Sequence, residues 1–157
     1  MAIHKLHIDE FDETEYTLVA IHTSIEDYRL AYFINKKLPI LLHKNKDEIQ
    51  IRVKQGQTSF SRFTFENDEK EICWDLIQNK NEIGGTVTTV QDLFTDSPMA
   101  TKVYLLPEFK KVDYFLKVEN ASETAEEITS KINSIERITA VYTIDSKNIK
   151  SKNNLIF

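Results

Sequence analysis

Four histidines, one cysteine and a handful of clustered carboxylates are the side chains of this sequence most capable of chemistry. His4 and His7 lie three positions apart in a stretch that reads as a strand. An odd separation on a strand sends two side chains to opposite faces, so this pair needs a bulge to share a metal. His22 falls near the end of an apolar strand, where a core or edge histidine held by a hydrogen bond is the simplest expectation, and His43 beside Lys44 reads as exposed. Cys73 has no second cysteine at CxxC spacing, and the neighbouring Glu71 and Asp75 oppose thiolate formation. It reads as a small hydrophobe within a strand. Asp9, Glu10, Asp12, Glu13 and Glu15 crowd one segment but lack the spacing and glycine of an EF-hand loop. Gly84-Gly85-Thr86 matches neither GxxxxGK[ST] nor GxGxxG. Glu108 and Asp113 could form an acid/base pair, yet no third group can be named to position them. Accordingly no catalytic residue, metal ligand or cofactor is expected.

The 157 residues are 41% hydrophobic and 29% charged, enough to bury a core without disulfides or metals. Only three glycines and three prolines interrupt the chain, so residues 1–145 are expected to form one domain and 146–157 a flexible tail. That tail is loose unless Leu155, Ile156 and Phe157 find a groove. The start, MAIHKLHIDEFDE, has no signal-peptide pattern, no stretch approaches the ~18 apolar residues of a membrane span, and the lone cysteine cannot form an internal disulfide. A cytoplasmic protein with no membrane partner is expected. The net charge of −5 argues against sequence-independent binding to nucleic acid, which draws its affinity from Lys and Arg at phosphates.

The elements that must position these side chains follow from periodicity. Tyr16 to Thr23 is apolar or β-favouring almost throughout and reads as a central strand. Ser24 and Asp27 have capping-box spacing before a helix over residues 25–37, with Leu30, Phe33, Ile34 and Leu38 on one stripe and Ile25, Tyr28 and Tyr32 on another. Ile49, Ile51 and Val53 alternate with polar residues, and Thr58 to Phe65 and Glu71 to Ile77 read as two further strands of a meander. Asn79 to Thr101 loses all pattern. Val103 to Leu106 and Val112 to Glu119 are predicted to pair as a hairpin, with Val112, Tyr114, Leu116 and Val118 on one face. Asn120 and Glu123 again have capping-box spacing, before a helix carrying Ala125, Ile128, Ile132 and Ile135, and Ile138 to Ile144 is a β-branched strand. The predicted fold is an α+β two-layer sandwich, a largely antiparallel sheet with both main helices on one face.

Leu106 to Tyr114, LPEFKKVDY, resembles the motif of the IPExxxVDY family of Bacteroidota-type bacteria. Pro107, Glu108, Val112, Asp113 and Tyr114 match, and Leu106 replaces Ile. The segment EDYRLAYFIN, Glu26 to Asn35, is similar to the helix such proteins carry near their start. The resemblance implies a bacterial cytoplasmic protein and no known activity. Pro107, Glu108, Asp113 and Tyr114 are the candidate binding residues it singles out. Read physically, proline fixes the turn, Glu108 accepts from turn amides, and Asp113 projects from the face opposite Val112 and Tyr114.

Three functions compete. The first is a non-catalytic protein-interaction or regulatory module with a protein partner, or with itself as a homodimer. Phe60, Phe63 and Phe65 cannot all face one side of a regular strand, so at least one is expected to be exposed in an apolar patch near the first helix. The second is a small-molecule-binding protein or enzyme with a cleft near the 79–101 loop, using His22, Glu108 or Asp113. The third is an RNA-associated accessory factor, with Lys44, Lys46, Arg52 and Lys54 as a basic patch, joined by Lys36 and Lys37, and with aromatics beside it for stacking.

Overall fold

The computed structural model describes residues 15–83 and 100–157. Its frame is a six-stranded antiparallel sheet built from β1 (Tyr16–Thr23), β2 (His43–Lys44), β5 (Arg62–Asn67), β6 (Ile72–Gln78), β9 (Tyr114–Glu119) and β10 (Ile138–Ile144). The strand order is β10-β1-β9-β6-β5-β2. Two short hairpins stand apart: β3 (Ile49–Val53) with β4 (Gly56–Phe60), and β7 (Lys80–Ile83) with β8 (Thr101–Tyr104). The helices are α1 (Asp27–Lys37) and α2 (Ala125–Asn133). This is the expected α+β sandwich, with a largely antiparallel sheet.

Strand alternation divides the core into two. Val19 and Ile21 of β1, Trp74 and Leu76 of β6, and Tyr114, Leu116 and Val118 of β9 face the helices, meeting Leu30 and Ile34 of α1 and Ile128 and Ile132 of α2. Their alternates, Leu18, Ala20, Ile77 and Phe115, face the other way. There they meet Ile49 and Phe60 of the first hairpin, Val103 of the second, and Leu105, Leu106, Val112, Ile149 and Leu155. Both faces of the central strands are therefore dry, which is why β1 reads as an uninterrupted apolar run. The condition set for the C-terminal tail is met at Leu155, which is 1% exposed, while Ile156 and Phe157 stay at the surface.

Several local expectations are corrected. The strand over residues 58–65 is broken at Ser61 into β4 and β5, which belong to different sheets. The break turns the chain over. Phe60 enters the core opposite the helices at 0% exposure, Phe63 enters the helix-side core, and Phe65 packs half-buried against it, so none of the three is exposed. Gln78 brackets the break, its amide donating to the Ser61 carbonyl. The hairpin of 103–106 with 112–119 is absent: β8 pairs with β7, and β9 lies between β1 and β6. Val112 consequently leaves the face of Tyr114 and packs in the opposite core.

Both capping boxes fall elsewhere or nowhere. At α1 the N-cap is Glu26 with no side-chain cap; the Thr23 hydroxyl accepts from the Ile25 amide instead of a Ser24–Asp27 box. At α2 the box is Thr124 with Glu127, four residues beyond Asn120 and Glu123. Asn120 takes a left-handed φ of 55° that ends β9, and its side chain donates to the Glu71 carbonyl.

Because Phe60 fills the sheet face opposite the helices, Phe60→Ala is expected to lower stability by about 3–5 kcal/mol. Urea-induced unfolding measures it, and a change under about 1 kcal/mol would contradict this packing.

Candidate functional site

The motif residues 106–114 run from the end of β8, through a turn of 3-10 helix at Pro107–Phe109, into β9. One side chain outside the motif holds this turn. Asn79, 0% exposed, follows β6, and its amide nitrogen donates to the carbonyls of Phe109 (2.9 Å) and Val112 (2.8 Å). Its side-chain oxygen accepts from the Leu106 amide at 2.9 Å. Its backbone adds two bonds, N–H to the Asp113 carbonyl and C=O from the Leu105 amide. The turn carries backbone groups that no strand can pair, and a carboxamide, with donors at one end and an acceptor at the other, satisfies three of them at once.

Held this way, each polar motif residue reaches a different part of the chain. The Glu108 carboxylate accepts from the Lys150 and Ser151 amides, both at 2.8 Å, and from the Ser151 hydroxyl at 2.9 Å. These bonds anchor the C-terminal tail. Partial burial pushes the Glu108 carboxyl up, but the bonds from the Ser151 amide, its own backbone, the Ser151 hydroxyl and the Lys150 amide outweigh that and hold it below the ordinary glutamate value. Asp113 accepts from the Thr23 amide and from Lys80 Nζ, each at 2.9 Å, closing the end of β1. The buried Tyr114 hydroxyl donates to the Ile25 carbonyl at 2.8 Å, tying β9 to the start of α1. Burial first, then the charges of Asp27 and Asp113, push its phenol up, so it stays a donor. Pro107 is exposed at the head of the 3-10 turn.

The tail that Glu108 grips is held at further points. Asn154 donates to the Leu105 carbonyl, Lys117 Nζ donates to the Leu155 carbonyl at 3.0 Å, and the Phe157 ring lies between Arg62 and Lys117, 4.4 and 4.9 Å from their charged groups. Arg62 also pairs with the buried Asp75 (2.8 Å), which accepts from the Thr64 hydroxyl and the Cys73 thiol. Burial and the Asp75 charge push that thiol up to about 12, so Cys73 is a poor nucleophile at neutral pH. It floors an open depression of about 280 Å³ with Glu66, Asn67, Asp68, Glu71 and Ile72.

The other candidates are dispersed. His22 Nε2 lies 2.9 Å from the Tyr142 hydroxyl on β10, while Glu108 and Asp113 are engaged with the tail and with β1 and Lys80. Lys44 sits on β2 of the large sheet, paired with Asp27 and Glu48, whereas Arg52 sits on β3 of a separate hairpin and Lys54 in its turn. The ring beneath Lys44 is Phe63, which is buried and cannot stack on a base. His4, His7, most of the acidic cluster and Gly84-Gly85-Thr86 lie outside the described residues. Among the described residues, no group of three or more His, Cys, Asp or Glu side chains could hold a metal ion, and no helix is long and apolar enough to cross a membrane.

Sequence reasoning missed Asn79, Ser151 and the Thr23 amide. A lone asparagine just past a strand gives no periodic signal, and the side-chain partners of these groups lie 27 to 90 residues away in the chain. No protein-family model, no curated protein and no solved structure matches this chain.

Asn79→Ala strips the Leu106 amide and the Val112 carbonyl of their side-chain partner, while the Phe109 carbonyl keeps the Val112 amide, and is expected to cost on the order of 2–3 kcal/mol, with Asn79→Asp no milder because a carboxylate would face two carbonyls. Thermal unfolding of the two variants checks this. The depressed Glu108 carboxyl stabilises the docked tail above its unfolded-state value, and that contribution is lost as pH falls through the lower folded value. The Lys150 and Ser151 amide resonances should therefore shift in an NMR titration across this acid window, and Glu108→Gln should flatten the response.

Proposed function

We propose that this protein is a non-catalytic protein-interaction module of the IPExxxVDY family, working in the bacterial cytoplasm. The observation that carries the reading is a solvent-facing aromatic stripe on α1. Tyr28 and Tyr32, 60% and 55% exposed, stand one helical turn apart, and Lys36 extends the stripe with its ammonium 4.5 Å from the Tyr32 ring. The other face of α1 is committed to the core through Leu30, Ala31 and Ile34. Leu41, 68% exposed, follows in the segment that Asn35 closes by bonding both backbone groups of Leu42.

Tyrosines on a rigid helix present large area at low entropic cost and are frequent anchors of protein interfaces. The Tyr28 hydroxyl is pushed up by its hydrogen bond to Glu26 and by that carboxylate's charge, which keeps it protonated. The motif residues support the same reading differently: Glu108, Asp113 and Tyr114 direct their polar atoms inward, where they hold together the scaffold that presents α1. A location where thiols stay reduced suits a single, poorly nucleophilic cysteine.

Affinity purification from the native cell, run in parallel with wild type and Tyr28→Asp/Tyr32→Asp, tests the proposal. Wild type is expected to recover a stoichiometric protein partner that the double variant loses, with unchanged far-UV circular dichroism. Recovery of the wild type alone, or equal recovery of the partner by both forms, would overturn it.

A further inference from the structure

Residues 146–157 are attached to the rest of the fold by side chains alone. They leave the end of β10 and make two turns of 3-10 helix, Ser146–Asn148 and Lys152–Leu155. Their backbone-to-backbone hydrogen bonds are local: Asn148 to Asp145, Ile149 to Ser146, Asn154 to Ser151 and Ile156 to Asn153. Among the described residues, no such bond joins this segment to another element. Within it only Ile149 and Leu155 are buried, at 4% and 1% exposure. Glu108, Asn154, Lys117 and Arg62 make the remaining attachments described above. A segment with two buried apolar side chains and no shared backbone ladder opens locally, well before the sheet does.

The sheet face beneath it changes character along the strands. Ile77 and Phe115 are paired neighbours and apolar; two residues along the same strands, the pair is Asp75 and Lys117. The segment straddles that boundary. Leu155 joins the apolar core with Phe115 and Ile77, its carbonyl accepts from Lys117 Nζ, and the Phe157 ring lies between Lys117 and Arg62. The side chains of Arg62 and Lys117 are only 13% and 12% exposed, so ring and carbonyl meet charges largely removed from water, where such contacts are strongest.

We propose that this groove is a peptide-binding site, that residues 149–157 occupy it in cis, and that a partner segment of the same pattern displaces them. The cis occupant shows what fits. Asn154 supplies a carboxamide for the Leu105 carbonyl, Leu155 an aliphatic side chain for the core, and Phe157 a ring for the two cations. Ile156, 77% exposed, marks a position the groove does not read. The partner segment is therefore a carboxamide residue, an aliphatic residue, any residue and an aromatic one, in that order. Residues 149–157 act as an autoinhibitory strap: tethered a few residues beyond β10, they compete at an effective concentration on the order of millimolar. The groove lies on the sheet face opposite α1, so this inference does not rest on the docking proposed there.

Hydrogen exchange on the full chain tests the opening. The Lys150, Ser151 and Asn154 amides are expected to exchange by a local route that urea hardly accelerates, while amides of β1 and β9 follow global unfolding. Strap amides that exchange only with global unfolding would overturn the inference.

A fluorescent peptide of residues 149–157, IKSKNNLIF, acetylated at its start, tests the site by anisotropy. Leu155→Ala in the full chain weakens the strap and leaves the groove intact, so it should bind the peptide at least about tenfold more tightly than wild type. Asn154→Ala removes only the bond to the Leu105 carbonyl and should shift binding in the same direction; it carries the test if far-UV circular dichroism shows the first variant unfolded. The same peptide with Leu155→Asp should bind neither. No peptide binding by the folded variants, or equal binding of the two peptides, would overturn the inference. A wild-type dimer that the peptide splits into monomers would assign the groove to a second copy, and would likewise overturn it.

Discussion

Asn79 lies fully buried after the last residue of β6, and five hydrogen bonds converge on its side chain and backbone from Leu105, Leu106, Phe109, Val112 and Asp113. The chain between β8 and β9 reverses direction through a turn that is exposed at Pro107 and Lys110 but buried at its ends, Leu106 and Val112, where water cannot satisfy the backbone groups. A single carboxamide supplies both donors and an acceptor there. Once the turn is set, Glu108 meets the tail, Asp113 meets the end of β1, and the Tyr114 hydroxyl reaches the start of α1. The position of the tail, the exit of the central strand and the orientation of the first helix all follow from that arrangement. Such a network is cooperative: each bond is stronger because its partners are already fixed, and each unsatisfied member would be costly.

The sheet is covered on both sides by unlike material. Two helices cover one face with interdigitating aliphatic residues, whereas two hairpins, the 3-10 turn and the C-terminal tail cover the other. The second cover is assembled from short pieces, which need more polar fastening than a helix with its own internal hydrogen bonds. This accounts for the distribution of side-chain bonds around Glu108, Asn154, Lys117 and Asn81. The Arg62–Asp75 pair lies on the same side, satisfied by Thr64 and capped by Phe157. Breaking one partner of such a pair leaves a buried charge, so its role is to hold one arrangement.

With the polar motif turned inward, two uncharged features stand out on a largely charged surface: Tyr28 and Tyr32 on α1, and the strand β10, which is irregular at Thr139. They are on different elements and have different geometry. A helix stripe offers side chains to a pocket or groove, whereas an open strand offers backbone groups in a fixed direction.

Periodicity determined much of this fold on its own. The apolar run of β1, the alternation of β3, the helical spacing of Ile128, Ile132 and Ile135, and the β-branched run of β10 are local patterns, and each element forms where its pattern lies. The LPEFKKVDY motif was likewise visible, and the inertness of Cys73 was visible in part: burial, its largest cause, belongs to the fold, while Asp75, the next, lies two residues away in sequence. Beyond the β5–β6 hairpin, whose strands are neighbours in the chain, the sequence did not contain which strand pairs with which, since pairing depends on contacts between residues far apart in the chain. The expected hairpin of β8 with β9 was the nearest pairing available, and tertiary structure replaced it by placing β9 between β1 and β6. The break at Ser61 is similar: alternation alone leaves Phe60, Phe63 and Phe65 in conflict, and two cores on opposite faces of one sheet resolve it. Asn79 shows the limit most clearly. A polar residue buried by long-range contacts has no periodic neighbours to announce it, and only the folded chain brings its five partner groups within hydrogen-bond distance.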